Sequence, residues 1–117
     1  MAAPNLLSLT TVTAKTAVQQ ITTSATAIVT NSAASGKAVK VVALYVSNVN
    51  GTSAADVTID VYRSTVAYKV AYTLSVPADS TLDMINKVIY LEEGDSLRLT
   101  ASSNSYLEAV CSYEELS

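Results

Sequence analysis

The sequence contains no histidine, no phenylalanine and no tryptophan, and only one cysteine, three glycines and two prolines in 117 residues. Each shortage excludes something. Without histidine the commonest general base and the commonest zinc ligand are missing. Cys111 has no second cysteine for an internal disulfide and no histidine to activate it as a nucleophile. A small thiol of this kind usually packs as a core residue. Few glycines and prolines exclude collagen-like and proline-rich classes, and no glycine-rich phosphate loop or Gly-x-Ser-x-Gly elbow occurs. Charge is also scarce. The net charge is −3, and the seven basic residues are scattered, so no basic patch could track a phosphate backbone. The longest apolar run, Val41–Val46, is far short of a membrane span. The opening residues lack the basic and long apolar regions of a signal peptide. These features predict a non-enzymatic protein made in a cytoplasm, with no cofactor, no metal, no nucleic acid and no membrane partner.

What is present is valine, threonine, serine and alanine, with seven tyrosines, and half of the residues are apolar. Valine and threonine favour strands. Aliphatic side chains bury less area than rings, so the core is expected to be thin and to gain from a neighbouring surface. Period-two patterning predicts strands near 38–49, 56–63, 66–76, 80–85, 88–91, 96–102 and 106–114, with a shorter one over 25–30. In 38–49 apolar residues fall on both faces, which predicts a central strand covered on both sides. Val57, Ile59 and Val61 form one clean face of the next strand. Val66, Tyr68, Val70, Tyr72, Leu74 and Val76 form one face of the strand after it, placing Tyr68 and Tyr72 in a core or an interface. Arg63-Ser64-Thr65 reads as the hairpin loop between these two strands, and Asn50-Gly51 as a tight turn. From Val88 onward, two strands flank Glu92-Glu93-Gly94-Asp95 and a third follows Ser102–Ser105, an expected antiparallel meander.

About eight strands separated by short polar turns predict an all-β, antiparallel, jelly-roll-like β-sandwich over 25–117. Residues 1–24 read as an N-terminal arm or peripheral strand. Its Leu6, Leu7 and Leu9 either pack on a neighbouring molecule or belong to a segment that pairs with the domain's own sheet. Tyr68, Tyr72, Leu6, Leu7 and Leu9 are therefore the candidate interface residues. Carboxylates are the remaining chemical candidates. Asp56 with Asp60, Asp79 with Asp83, and the cluster Glu92, Glu93, Asp95 could offer oxygens to calcium, but none has the ligand density of a calcium loop. They read as solvated strand edges and turns.

The strings YLEEGDSLRLTAS…LEAVCSYEE, LLSLTTVTAKTAV…TTSATAIVTNSAASGK, ALYVSNVNGTSAADVTIDVYR and VPADSTLDMI span nearly the whole chain. They resemble small virion structural proteins of tailed bacteriophages, cyanophages in particular. The resemblance implies a virion protein assembled in the host cytoplasm, chiefly a capsid decoration or cement protein. It further implies partnership with the major capsid protein or other virion proteins and with copies of itself, a homotrimer being the expected form. Neck, tail or baseplate components, or a fibre-associated receptor- or glycan-binding module, are the alternatives. The resemblance carries no catalytic signature and no site residues.

Overall fold

In a computed structural model, which describes residues 4–117, the chain is an all-β sandwich of two antiparallel sheets. Nine strands follow a 3-10 turn at Leu6–Ser8: β1 (Val12–Gln20), β2 (Thr26–Thr30), β3 (Ala38–Asn48), β4 (Ala55–Arg63), β5 (Val66–Val76), β6 (Thr81–Asp83), β7 (Ile89–Leu91), β8 (Ser96–Ala101) and β9 (Leu107–Leu116). One sheet runs β1-β9-β3-β6, with β7 also paired to β3; the other runs β2-β8-β4-β5. Strands distant in sequence therefore pair: β1 with β9, β2 with β8, β3 with β6 and β7. Of the pairs, only β4 and β5 form a tight hairpin, closed by Ser64 and Thr65 at φ 52° and 65°. Two successive positive φ values give the twist that a two-residue hairpin needs, here without glycine.

The core is aliphatic. Leu44 and Val46 of β3, Val57 and Ile59 of β4, Leu97 and Leu99 of β8, and Leu107 and Cys111 of β9 are all fully buried between the sheets. Each such aliphatic side chain contributes about 1.5–3 kcal/mol by leaving water. Tyr106 and Tyr113 pack only partly against this cluster.

Three expectations need correction. First, β3 is central within its sheet but not covered on both faces. A β-bulge between Val41 and Ala43 inserts one residue, so Val39 and Val41 point inward before it and Leu44, Val46 and Asn48 after it. The extra residue reverses the alternation; Val42 and Tyr45 are left exposed on the outer side. Second, β5 does not have one buried face. Register shifts between Val57 and Ile59 and between Ile59 and Asp60 break its ladder with β4, and only Val76 of its eleven residues is buried. Third, residues 88–117 are not a meander. β7, β8 and β9 alternate between the two sheets, so both connecting turns are arches across the sandwich. The strand expected over 80–85 is reduced to β6, and β9 extends two residues past its expected end.

Two buried asparagines hold crossings between the sheets, Asn48 that from β3 to β4 and Asn31 those at the end of β2 and after β7. Asn48 Nδ2 donates to Ser53 O and Val76 O, both at 2.9 Å, and its Oδ1 accepts from Asn50 N–H at 2.8 Å. The Asn50-Gly51 turn thus carries the chain from one sheet to the other. Asn31 Nδ2 donates to Lys37 O at 2.9 Å and Leu91 O at 3.0 Å, tying the end of β2 to β7. The neighbouring turn joins in: Gly94 N–H donates to Asn31 O, and Asn31 N–H to Asp95 O. Buried amides that satisfy backbone groups on both sheets work as cross-links.

Residues Val12–Gln20 lie in the sandwich itself, paired over nine residues with β9. Thr10 and Thr11 N–H both donate to Ser117 O, which anchors the preceding turn at the β1–β9 corner.

Candidate functional site

The sandwich has two long sides. β1 and β2 border one; β5 and the β6–β7 segment border the other. Among the described residues, β9 is the sole sheet partner of β1 and β4 the sole partner of β5. Both edge strands therefore present unpaired backbone groups and the side chains that their twist turns outward.

On the β5 side, Val66, Tyr68, Val70, Tyr72 and Leu74 are all exposed, Tyr68 at 58% and Tyr72 at 70%. The core alternative for these tyrosines is thereby excluded: the register shifts put Tyr72 beside Lys69 on the outer side, and Tyr68 sits where the sandwich is open. Tyr68 lies opposite Val61 and lines a shallow cleft with Val61, Arg63, Ile89 and Tyr90, at the open lip between the sheets. Val61 is only half-buried there, unlike Val57 and Ile59. Tyr72 is placed differently: the Lys69 ammonium stands 5.9 Å from its ring centroid. That separation is at the outer limit of a cation–π contact.

One end of the cleft is fixed by an ion-pair cluster. The Arg63 guanidinium donates to Asp95 through Nε at 2.7 Å and Nη2 at 2.5 Å, and to Glu92 Oε2 at 2.8 Å. Asp95 is buried and also accepts the Glu92 N–H at 2.9 Å. The Arg63 hydrogen bond holds the Asp95 carboxyl below the ordinary carboxylate range, against the opposing effect of burial. The same pair raises the Arg63 pKa further above its usual value. The turn that delivers Asp95 depends on Gly94 at φ +89°, a conformation that side chains disfavour. The sequence marks this turn by its glycine but gives no sign that its acid belongs to Arg63, which is 32 positions away.

Three further carboxylates, those of Glu93, Asp60 and Glu115, are also occupied. Glu93 Oε2 accepts from Gly36 N–H at 2.8 Å. Asp60, buried on β4, accepts from Arg98 of β8 at 2.9 Å, and the Arg98 guanidinium lies 3.9 Å from the Tyr62 ring centroid. Glu115 receives Lys15 and Lys37, each at 3.2 Å. Burial raises its pKa, but the two lysines together outweigh that and hold it low. Glu92 and Asp95 thus converge on Arg63, while Glu93 turns away to Gly36. Among the described residues no three His, Cys, Asp or Glu side chains are grouped to hold a metal ion.

At the β1–β9 corner, Leu7 is 96% exposed and Leu6 is exposed beside it, while Leu9 is half-buried. Asn5 caps the turn, its Oδ1 accepting from Leu7 N–H at 2.9 Å. The structure therefore separates the candidate interface residues into two sets. Leu6 and Leu7 stand at the corner of one long side, Tyr68 and Tyr72 on the other. Tyr90 of β7, exposed beside Tyr68, joins the second set.

No family model matches the chain, and no curated protein matches it. Among solved structures, it is similar to a chain described by the words "Bacillus endospore appendages form a novel family of disulfide-linked pili". The TM-score is 0.56 at 14% identity, over 100% of this chain and 96% of that one. At that identity the likeness is one of fold.

Proposed function

We propose that this chain is a non-enzymatic structural subunit of a virion, and specifically a decoration protein that reinforces the capsid. The observation that carries the reading is the apolar, tyrosine-bearing side along β5 and β7. Exposed aromatic and aliphatic side chains along an unpaired edge mark a surface that a partner covers. The resemblance of the sequence to phage virion proteins supplies the kind of particle. The strand pairing also supports it. Pairing β1 with β9, β2 with β8, β3 with β6 and β7, and β4 with β5 is the order expected if one long antiparallel hairpin is wound into a jelly roll, an architecture that capsid and lectin domains use. The partners are the major capsid protein and further copies of the chain, a trimer being the form proposed. The mechanism is mass action: many weak sites on a repeating shell add interface that the intact particle has and the burst one lacks.

Particles prepared without the chain should take up purified protein to one stoichiometric level per repeating shell position, and should then survive heating that opens the bare particles. Uptake of only a few copies per particle, with no gain in heat resistance, would transfer the role to neck, tail or baseplate.

A second reading follows from the fold likeness to a pilus subunit: a component of a self-assembled fibre. If this chain builds a fibre, disulfides are not its linkage. Cys111 is fully buried on β9, and burial pushes its thiol up to about 11. A native thiol in that state neither reaches nor attacks a partner.

A further inference from the structure

β1 is bound almost wholly through its backbone. None of its nine residues is fully buried, and its ladder to β9 runs from Val12 opposite Leu116 to Gln20 opposite Glu108. The flanking residues extend that attachment. Thr10 and Thr11 N–H donate to Ser117 O, and Ile21 N–H donates to Leu107 O at 2.9 Å. Ile21 is the only buried residue between Thr10 and Thr23. Beyond it, Thr22 O accepts from Ala101 N–H at 2.8 Å, and Thr23 N–H donates to Asn104 Oδ1 at 3.1 Å. Lys15 pairs with Glu115. All of these partners lie between Ala101 and Ser117. Apart from a local bond between Thr22 and Ser24, the exception among the described residues is Gln19 Nε2, which donates to Ala27 O at 3.0 Å. Residues 10–23 thus have the form of a strand-addition ligand, and residues 101–117 that of its receptor. Main-chain hydrogen bonds supply the attachment, and one buried side chain, Ile21, fixes the register.

The join to the rest of the chain is slight. Ser24 and Ala25 are exposed, and among the described residues the hydrogen bonds of Ser24 reach only Thr22 and Thr26. Straightening these two residues frees the segment without unpairing β2, which begins at Thr26. β2 and β5, which border the second sheet, lack this freedom, because strands precede and follow each of them.

We propose that residues 10–23 are an exchangeable strand, which in crowded copies leaves its own chain and pairs with residues 101–117 of a second copy. The occupant follows from the receptor: it fits this segment residue for residue, and every copy carries both. This deepens the structural-subunit reading above and rests on it for the crowding. Exchange re-forms the contacts that it breaks, so its net cost is confined to the Ser24-Ala25 link and to the loss of a partner tethered in the same chain. A short tether holds the segment at an effective concentration on the order of 1 mM. Dilute chains therefore close on themselves, and copies packed at comparable density exchange. An extended two-residue link reaches about 7 Å, so the exchanged partner is a direct neighbour.

The test places a second cysteine opposite the native one. Ala17 pairs with Cys111, and paired Cα atoms on antiparallel strands lie about 4.5–5.5 Å apart, within disulfide reach. The full chain carrying Ala17→Cys is unfolded in urea, refolded in a glutathione redox buffer at about 10 μM or about 1 mM, and run on a non-reducing denaturing gel. Dilute refolding should give one band at the chain mass of 12.2 kDa. Concentrated refolding should move about half of the chains into dimers and larger species, because the same disulfide now joins two copies. The parent, with Cys111 alone, should stay at one chain mass in both. If Ala17→Cys also stays there at the higher concentration, or the parent dimerises as readily, the inference is overturned. Val18→Cys with Val110→Cys, in a Cys111→Ala background, repeats the test at the adjacent, exposed pair. Successive pairs alternate between two ladder spacings, so one of the two tests has the closer one. No disulfide in either would remove the β1–β9 pairing on which the inference stands. Particle uptake of the parent is measured separately. Exchange on the gel without uptake defeats the decoration reading and leaves the exchange; uptake by chains that never exchange does the reverse.

Discussion

The carboxyl of Asp95 joins three parts of the molecule: Arg63 at the end of β4, the Glu92 amide in its own turn, and, through that turn, the buried Asn31. A carboxyl whose folded pKa lies below the unfolded value of about 3.9 adds stability that is complete above roughly pH 5 and drains as pH falls through the folded value. The parent should therefore lose melting temperature steeply on acidification below about pH 4. Asp95→Asn should start lower at neutral pH and fall less over the same range. Equal slopes in thermal melts from neutral to strongly acid pH would show that the pair contributes nothing. Asn48 makes a second prediction at this scale. Truncation to alanine removes three hydrogen bonds and takes the Asn48 donor from the buried Val76 carbonyl, at about 1–3 kcal/mol for such a group. Asn48→Ala should cost at least about 2 kcal/mol in urea unfolding. A substitution on the same strand at exposed Val42 should stay within about 0.5 kcal/mol. Gly94→Ala meets no atom within 4 Å, so its cost is backbone strain alone, about 1 kcal/mol.

The elements read from sequence fare unevenly, and the reason is local. β4 and β8 were legible because their inward residues, Val57 with Ile59 and Leu97 with Leu99, alternate cleanly. The hairpin at Ser64-Thr65 was legible because polar residues interrupt two valine-rich runs. β3 and β5 were misread in their facing because one bulged residue inverts every later side chain, and a period-two count has no means of seeing Val42 as an insertion. The arches at Asn50-Gly51 and Gly94 carry ordinary turn residues. What makes them crossings rather than hairpins is Asn48 and Asn31 bonding to the opposite sheet, a long-range fact. The candidate interface was legible in part: Leu6, Leu7, Tyr68 and Tyr72 are exposed, but their division between two sides, and the part of Tyr90, depend on sheet order. At this scale β1 is open to trial. It supplies β9 with a partner over nine residues and covers the core with Ala17, so removing residues 1–20 should abolish cooperative unfolding or lower the melting temperature by well over about 10 °C, at 4–8 °C per kcal/mol for a domain of this size. Removing residues 1–9 should leave the melt nearly unchanged. If the longer deletion melts like the parent, β1 is not a stabilising part of the sheet.

For the molecule as a whole, Cys111 is a natural reporter. It sits at the centre of β9 with no exposed surface, so a thiol reagent should modify it only when the sandwich opens globally. Labelling in native buffer should be slow, independent of reagent concentration at high reagent, and accelerated by urea in step with unfolding. Fast labelling in native buffer would reveal a local opening of β9 that the packing does not suggest. β9 also governs when the fold can form. Among the described residues β1 and β3 touch in their sheet only through β9, which is synthesised after the other eight strands, so a growing chain that stops short of Leu107 has a completed β4–β5 hairpin and no means of joining its first strand to its third. Half of the sandwich must wait, with its valine faces wet, until synthesis has passed Leu116. The vulnerable interval is therefore the time before β9 has emerged and paired, when collapse around distant strand pairs is slow and unpaired edges can find the wrong partner.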